Sequence, residues 1–342
     1  MNTPKILIIY TGGTIGMVET PDGLQPFDFS HLMDNVPKVG QLGYQIDSVQ
    51  FENPIDSSNM SPAYWNQIVK PIADRYDDYD GFVVLHGTDT MAYTASALAF
   101  MLRNLRKPVV ITGSQLPIGD TREDGTENLI SALMVAAAKD ENGDPMVQEV
   151  VISFQDYIVR GCRSTKFTST GFDAFKSFNY PALGTIDLHI DYSKPYLMRH
   201  DDKLPLDPFY NMDSNLLVMW LYPGITESVV KAQLSTPGIK AVILRTFGAG
   251  NAPTEQWFLD ALSDAVSRGL IVYNVTQCLN GGDEQKRYYT GDMLAKAGVI
   301  SGYDITAEAA ITKMMYLLGS GMTKDQIVDY LQTSIVGEMT VE

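Results

Sequence analysis

Short apolar segments alternate with longer amphipathic segments along this chain, and this alternation constrains its fold more than any other feature. Five apolar runs in the first half are typical of buried strands: residues 6–10, 44–51, 81–85, 108–112 and 150–154. Helix candidates lie between them, one beginning at Ser61 and Pro62, a capping residue followed by proline, and others at 90–102 and 128–139. Strands that alternate with helices predict a mostly parallel sheet covered on both faces.

Residues 191–213 interrupt this alternation with three prolines, many charges and little periodicity, which is typical of a linker. The pattern then resumes, with strand candidates at 216–221, 241–246 and 270–275 and helix candidates at 226–233, 254–268, 306–318 and 323–332. We therefore predict two α/β domains, an N-terminal one at residues 1–190 and a C-terminal one at residues 214–342.

The composition narrows the range of partners. The 342 residues are 45% hydrophobic and 19% charged, which is ordinary for a globular protein, but the net charge is −16. Nucleic acids and anionic membrane surfaces both favour a basic protein face, so we expect neither as a partner. The acidity is spread along the chain, and solubility explains it equally well.

Cysteine usage and the N-terminal segment predict a cytoplasmic location. The chain begins almost directly with the first strand and has no signal-like apolar region, and no apolar run approaches the roughly 20 residues of a membrane span. The two cysteines are far apart, which fits a reducing compartment, and the histidines have no metal-ligand spacing. These residues are Cys162, Cys278, His31, His86, His189 and His200.

Polar motifs follow three of the predicted strands. Ligands of open α/β sheets bind beyond the carboxyl ends of the strands, so residues placed there are the informative ones. The motifs are YTGGTIG at 10–16, DSSN at 56–59 and LHGTDTM at 85–91. They make this edge of the predicted sheet the candidate for a site.

The glycine-rich loop at 10–16 permits a close approach to a ligand, and a dinucleotide site is one interpretation. That site needs a helix directly after the loop, whereas Pro21, Gly23 and Pro26 disfavour one here. A second glycine-rich loop, FGAGNAP at 247–253, has proline where a third glycine would stand. Thr14 is thus a threonine in a tight turn, which by itself is most often a turn or capping residue.

Thr88 and Asp89 lie between a strand and a helix, where either could simply cap the helix. A catalytic interpretation needs a hydroxyl, a carboxylate and a cation, because a hydroxyl nucleophile is weak unless a base activates it. Lys166, in GCRSTK, could be that base, although a lone lysine is usually a solvated surface residue. The DSSN segment could hold the charged groups of an amino acid or form an ordinary turn.

The combination of these motifs, in this order, resembles the bacterial L-asparaginase family and most closely its cytoplasmic type I branch. The resemblance extends from about residue 5 to residue 335 and includes PVVITGSQLP, VRGCRSTK, LRTFGAGNAP and TQC. It implies a two-domain asparaginase fold, with a larger N-terminal mostly parallel sheet and a smaller Rossmann-like C-terminal α/β domain. It also implies hydrolysis of L-asparagine to L-aspartate and ammonia, without a metal or organic cofactor, by a homodimer or homotetramer.

The resemblance assigns roles to residues of this chain. Thr14 matches the nucleophilic threonine, and Thr88, Asp89 and Lys166 match the second threonine–lysine–aspartate set. The substrate's α-ammonium is expected to pair with Asp89.

Three further residues match the loop that holds the amino-acid end of the substrate: Asp56, Ser57 and Ser58. Asn251, in GAGNAP, matches an asparagine that reaches the active site from a neighbouring subunit. The expected product of the first step is an aspartyl ester on Thr14, which a water activated by Thr88 and Lys166 then cleaves.

One position departs from the family pattern. Many members carry a tyrosine in the loop after TGGT, where it helps to activate the nucleophile, whereas Leu24 stands there in this chain. Some type I relatives also lack it, and a tyrosine shortly before AGVISG has been suggested as the replacement. The matching residue is Tyr288, which we predict to hydrogen-bond Thr14, although a buried core tyrosine is the alternative.

Some type I enzymes are activated by asparagine at a second site in the subunit interface. The residues that match this site are Arg245, Thr276, Gln277 and Cys278. Arg245 at a strand end can pair with a carboxylate through two parallel hydrogen bonds, but an interface salt bridge would use it equally well. Alternative functions within the same fold are a glutaminase, a tRNA-linked amidohydrolase, and an amino-acid-binding protein with little activity.

Overall fold

The chain folds into two units, Met1–Tyr210 and Asn211–Glu342. The structure, a computed structural model, describes residues 3–20, 23–26, 36–118, 120–200, 204–284 and 289–341. Among these residues, no helix combines the length and the apolar character needed to cross a membrane.

The first unit is built around one large sheet. The strands of this unit are β1 (Lys5–Gly12), β2 (Met17–Thr20), β3 (Gly23–Pro26), β4 (Gln45–Ile55), β5 (Gly81–Leu85), β6 (Leu102–Arg103), β7 (Val109–Thr112), β8 (Val150–Phe154), β9 (Tyr157–Arg160), β10 (Thr165–Lys166), β11 (Phe175–Lys176), β12 (Gly184–Ile186), β13 (Ile190–Tyr192) and β14 (Asp207–Pro208). Eight of them form the sheet, in the order β13-β12-β9-β8-β7-β5-β1-β4.

The five predicted strands of this unit are confirmed as β1, β4, β5, β7 and β8, and they pair in parallel. The remaining three strands of the sheet, β9, β12 and β13, are antiparallel and were not predicted. They have only three or four residues each and lack a long apolar run, so their pattern resembles that of a loop.

Helices cover the sheet on both faces. The α-helices of the first unit are α1 (Pro62–Asp74), α2 (Met91–Met101) and α3 (Gly125–Ala137). Ile6 and Ile8 belong to a core with Leu129 and Leu133 of α3. Leu7 and Ile9, which alternate with them along β1, are equally buried. Each such side chain contributes about 1.5–3 kcal/mol when fully buried.

The second unit has a parallel sheet in the order β15-β16-β17-β18. Its strands are β15 (Leu216–Trp220), β16 (Ala241–Thr246), β17 (Ile271–Thr276) and β18 (Ile300–Ser301). Its helices are α4 (Glu227–Leu234), α5 (Gln256–Ser267), α6 (Tyr289–Lys296), α7 (Ala307–Gly319) and α8 (Lys324–Leu331). The last helix, α8, begins with a capping box, because Thr323 and Gln326 exchange side-chain to backbone hydrogen bonds.

The segment predicted as a linker, residues 191–213, carries secondary structure. It includes most of β13, a 3-10 helix at Lys194–Tyr196, and β14, which pairs with β6. The division between the two units lies after Tyr210, near the end of this segment. The linker and the domain limits of 190 and 214 stay predictions.

Candidate active site

The register of the parallel strands brings their following loops to one edge of the first unit's sheet. Tyr10 of β1 pairs with Leu85 of β5, and Leu85 pairs with Thr112 of β7. On the other side of β1, Gly12 pairs with Ile55, the last residue of β4. The loops that follow these strands therefore begin at the same level of the sheet.

Backbone contact joins the loop of Thr14 to the loop of Thr88. Thr14 begins a 3-10 turn, Thr14–Gly16, directly after Gly13. Gly13 has a φ of 89°, and a Cβ at this position would lie 2.5 Å from the Gly87 nitrogen. Both the backbone conformation and the missing side chain are needed here, so glycine is required for this approach.

The loop after β4 reaches the same place. A Cβ at Gly87 would lie 2.6 Å from the Ser57 hydroxyl oxygen. The Thr90 hydroxyl donates a hydrogen bond to the Ser57 carbonyl at 2.7 Å. The three motifs that the sequence singled out thus meet, with Gly87 between Gly13 and Ser57.

A lysine joins the two polar residues of the LHGTDTM loop. The Lys166 ammonium donates to Thr88 Oγ1 at 2.7 Å and to Asp89 Oδ1 at 2.7 Å. The Lys166 side chain is 17% exposed and that of Asp89 is 66% exposed, so the set opens to solvent on the aspartate side. The structure brings the three residues together, and their catalytic roles stay predictions.

Asp56 stabilises its own loop. One oxygen of its carboxylate accepts hydrogen bonds from the backbone nitrogen and the hydroxyl of Ser58, both at 2.8 Å. These bonds hold the pKa of the Asp56 carboxyl below its usual value. Asp56 is therefore an N-cap of the short 3-10 helix Ser57–Asn59, and it shapes the segment that presents Ser57 and Ser58.

A buried chain of hydrogen bonds supports the loop that contains Gly87 and Thr88. The Trp65 indole donates to Thr94 Oγ1 at 3.0 Å, Thr94 contacts His86 Nε2 at 2.8 Å, and His86 Nδ1 contacts the Gly87 carbonyl at 2.6 Å. An indole N–H only donates and a carbonyl only accepts, so Thr94 donates to Nε2 and Nδ1 carries the proton. Complete burial lowers the pKa of His86 to about 4, so this histidine is neutral at physiological pH.

Gln115 also contacts this site, and the sequence interpretation assigned it no role. Its side-chain oxygen accepts a hydrogen bond from the Thr88 hydroxyl at 3.2 Å, and its side-chain nitrogen donates to the Gly171 carbonyl at 2.8 Å. Gln115 follows β7, so the rule that selects polar residues beyond the carboxyl ends of strands could have found it.

The four predicted allosteric residues lie at one edge of the second unit's sheet. Arg245 of β16 pairs with Val275, and the next pair is Thr246 with Thr276. The Arg245 guanidinium lies 5.0 Å from the centre of the Trp220 ring, a cation–π contact.

Hydrogen bonds connect these residues to the neighbouring loops. Gln277 Nε2 donates to the carbonyls of Leu221 and Arg245, at 2.7 and 2.8 Å. The Thr276 hydroxyl donates to the Gly248 carbonyl and accepts from the Cys278 nitrogen. The structure therefore brings Arg245, Thr276, Gln277 and Cys278 into one polar cluster.

Asn251 closes a tight loop of the second unit. Its backbone exchanges two hydrogen bonds with Phe247, at 2.7 and 2.8 Å. Tyr288 lies outside the described residues, and Leu24 belongs to β3. In the described part of the chain, His, Cys, Asp and Glu side chains form no group of three or more that could hold a metal ion.

Family models cover most of the chain. The model described as "Asparaginase, N-terminal" matches residues 5–197, and the model described as "Glutaminase/Asparaginase C-terminal domain" matches residues 215–331. The chain belongs to the asparaginase family. It is accordingly an amidohydrolase, and the family and fold predicted from the sequence are confirmed.

Full-length relatives agree with this assignment. L-asparaginase 1 of Escherichia coli is 42% identical over 99% of both chains. The crystal structure of L-asparaginase I from Vibrio cholerae superposes with a TM-score of 0.89 at 40% identity, covering 99% of this chain and 100% of that one. A probable cytoplasmic L-asparaginase from Campylobacter jejuni has a TM-score of 0.80 at 26% identity, covering 97% and 100%. The resemblance to the type I branch is thus confirmed.

Burial of neutral His86 predicts that stability depends on pH. The unfolded chain binds a proton at this histidine below about pH 6.5, whereas the folded chain does so only near pH 4. Stability from this group is therefore complete above pH 6.5 and is lost as the pH falls. The free energy of unfolding should decrease by up to about 3 kcal/mol between pH 6.5 and pH 4.

Urea unfolding at a series of pH values measures this effect. His86→Gln should be less stable at pH 7 but should lose less stability on acidification. The matched control is His189→Gln, which changes an exposed histidine and should keep the wild-type slope. If the stability of His86→Gln depended on pH as strongly as that of the wild type, the assignment of this pH dependence to His86 would be contradicted.

Proposed function

We propose that this enzyme hydrolyses the side-chain amide of L-asparagine to L-aspartate and ammonia through an acyl ester on Thr14. The observation that carries the proposal is the direct packing of the Thr14 turn against the loop in which Lys166 bonds both Thr88 and Asp89. The Escherichia coli and Vibrio cholerae relatives, both named L-asparaginases, support the choice of substrate.

The substrate is a zwitterion with a neutral side-chain amide, and the site offers groups for each part. The exposed carboxylate of Asp89 would pair with the α-ammonium. The hydroxyl and backbone N–H of Ser57 would hold the α-carboxylate, together with the Ser58 hydroxyl after it turns from Asp56 to the substrate; the Ser58 backbone N–H stays bonded to Asp56, which caps this segment. Asn251 of a neighbouring subunit would complete the site.

In the first step, Thr14 Oγ attacks the amide carbon. Its proton passes to the amide nitrogen, the carbon–nitrogen bond breaks, and ammonia leaves. The tetrahedral oxyanion needs preorganised donors, and backbone N–H groups of the Gly12–Gly13 and Thr88–Asp89 turns are the candidates. An aspartyl ester on Thr14 remains.

In the second step, water cleaves this ester. Lys166 must first release one proton of its ammonium to solvent. The water oxygen then bonds to the ester carbon, while the water proton passes to Thr88 Oγ1 and the Thr88 proton passes to Lys166. The bond to Thr14 Oγ then breaks, and this oxygen takes the proton back. General-base assistance of this kind contributes about 10²- to 10⁴-fold in rate. The scheme uses no metal or organic cofactor.

Ammonia release from L-asparagine and L-glutamine tests the proposal. Wild-type enzyme should release ammonia from asparagine and at most slowly from glutamine. Thr14→Ala should lower kcat by about 10³-fold or more, because no other hydroxyl takes its place. Mass spectrometry after rapid acid quenching should find an aspartyl adduct on Thr14.

The same assay separates the alternatives. Ammonia from glutamine at a comparable rate would point to a glutaminase. Binding of asparagine without ammonia from either substrate would point to an amino-acid-binding protein and would overturn the proposal. Full activity of Thr14→Ala would remove only the assignment of the nucleophile.

We propose that Tyr288 takes the place of the tyrosine missing at Leu24 and hydrogen-bonds Thr14. A tyrosine hydroxyl can relay a proton from the nucleophile, whereas leucine cannot. Tyr288→Phe should therefore lower kcat by about 10-fold or more in the ammonia assay. The matched control is Tyr289→Phe, which should keep wild-type kcat, and unchanged turnover of Tyr288→Phe would contradict this role.

We propose that asparagine also activates the enzyme at the cluster of Arg245, Thr276, Gln277 and Cys278. Arg245 would pair with the α-carboxylate of the effector. Rate against asparagine concentration should be sigmoidal, and Arg245→Ala should make it hyperbolic. The control Arg268→Ala removes an exposed i,i+4 ion pair of the same unit and should stay sigmoidal. Hyperbolic wild-type kinetics would contradict the proposal.

We propose that the active enzyme is a cytoplasmic homodimer or homotetramer. The name of the Campylobacter jejuni relative supports the location. The assembly is needed if Asn251 serves a neighbouring subunit. A monomer in light scattering that retains full activity would contradict the assembly.

A further inference from the structure

The hydroxyl of Tyr10 contacts the turn that contains Thr14. Tyr10 belongs to β1, its side chain is 1% exposed, and its hydroxyl donates a hydrogen bond to the Gly16 carbonyl at 3.1 Å. A carbonyl only accepts, so the direction of this bond is fixed. Burial raises the pKa of the Tyr10 hydroxyl, which therefore keeps its proton near neutral pH and supports the turn as a donor.

The ring of Tyr10 and the absence of a side chain at Gly16 fit each other. A Cβ at Gly16 would lie 2.0 Å from the Tyr10 hydroxyl oxygen and 2.2 Å from the ring carbon that carries this oxygen. Glycine at this position therefore lets the hydroxyl approach the backbone closely. The hydroxyl of Tyr10 occupies the place that a side chain at Gly16 would take.

Two contacts hold the ends of the Thr14 turn. The Gly16 nitrogen donates to the Gly13 carbonyl at 3.1 Å, which closes the turn around Thr14. Gly13 packs against the Gly87 nitrogen, and Gly16 is bonded to Tyr10. Thr14 thus lies between two anchored residues, and one of the two anchors is a tyrosine hydroxyl.

The position of Thr14 matters most in the first step of the reaction. Before the ester forms, the Thr14 oxygen and the amide carbon of the substrate are held by different loops, and they must approach to about 3–3.5 Å for attack. After the ester has formed, a covalent bond joins them. A shift of the turn should therefore slow the formation of the ester more than its hydrolysis.

We propose that Tyr10 is a positioning residue for the nucleophile, because its hydroxyl holds the Thr14 turn in the geometry that attacks the amide carbon. It acts from a buried position, through the backbone of Gly16. This inference rests on the proposed function, since it requires Thr14 to be the nucleophile. It assigns Tyr10 to formation of the ester and not to substrate binding or to hydrolysis of the ester.

The test compares Tyr10→Phe with Tyr192→Phe. Phenylalanine keeps the ring and removes only the hydroxyl. Tyr192 is the matched control, because it belongs to β13 of the same sheet and its hydroxyl is buried without a hydrogen-bond partner among the described residues. Gly16→Ala is a second variant, since its Cβ would force the Tyr10 ring away from the turn.

Each variant is mixed rapidly with L-asparagine, and two quantities are measured: the first turnover of ammonia, and the fraction of enzyme carrying the aspartyl adduct after acid quenching. In Tyr10→Phe, the first ammonia should appear about 3- to 30-fold more slowly, the effect of one hydrogen bond on a rate, and the adduct fraction should fall. Gly16→Ala should slow the first ammonia at least as much. Tyr192→Phe should match wild type in both measurements.

Hydroxylamine identifies the step that is slowed. It attacks an ester that has already formed and converts it to aspartyl hydroxamate, so it should not restore the rate of Tyr10→Phe. If hydroxylamine restores this rate, or if the adduct accumulates in Tyr10→Phe, the hydroxyl serves hydrolysis of the ester and the inference is overturned.

Binding of L-asparagine separates positioning of the nucleophile from general damage to the site. Calorimetric titration of Thr14→Ala, with and without Tyr10→Phe, gives the two dissociation constants. They should agree, because no nucleophile remains to be positioned. Weaker binding in the double variant would show a merely structural contribution of Tyr10 and would overturn the inference.

Thr14→Ala, assayed alone, separates failure of this inference from failure of the proposed function. If Thr14→Ala loses the adduct and its ammonia release while Tyr10→Phe behaves as wild type, the role of Tyr10 is overturned and that of Thr14 stands. If Thr14→Ala keeps full activity, both are overturned.

Discussion

The candidate active site depends on one steric constraint, the contact between the backbones of Gly13 and Gly87. A side chain at Gly13 would collide with the Gly87 nitrogen, and a side chain at Gly87 would collide with Ser57. Because neither residue carries one, three loops from three different strands converge within a few ångströms. The parallel strands bring their loops together here because they pair in register: Tyr10, Leu85 and Thr112 lie side by side near the ends of their strands.

Electrostatics then organises the polar side chains around this contact. The chain has a net charge of −16, yet the centre of the site is a cation, Lys166, bonded to a hydroxyl and to a carboxylate. Two neutral supports complete it. His86, kept neutral by burial, holds the Gly87 carbonyl, and Gln115 holds the Thr88 hydroxyl. Neither of these two supports carries a charge near neutral pH.

Much of the fold could be predicted because long apolar strands leave a clear pattern. β1, β4, β5, β7 and β8 were found in this way, whereas β9, β12 and β13 were missed because short strands at the end of a sheet have no such pattern. Among the site residues, too, some could be predicted from the sequence and others were missed. Motifs next to glycines identified Thr14 and the Thr88–Asp89 pair, but Lys166 needed the family resemblance. Gln115 was overlooked, although it follows β7 and therefore lies beyond the carboxyl end of a strand, as the selected residues do.

The sequence by itself determined which long apolar segments become strands, which loops follow them, and where glycine permits a close approach. These are local properties of side-chain size, polarity and backbone freedom, and they can be read without knowing any distant contact. Only the tertiary structure decided which partners these loops meet. Lys166 is 78 residues from Thr88, and the bond between them exists because strand order and register bring both to one edge of the sheet. Local pattern does not encode that order, because it results from the packing of the whole unit.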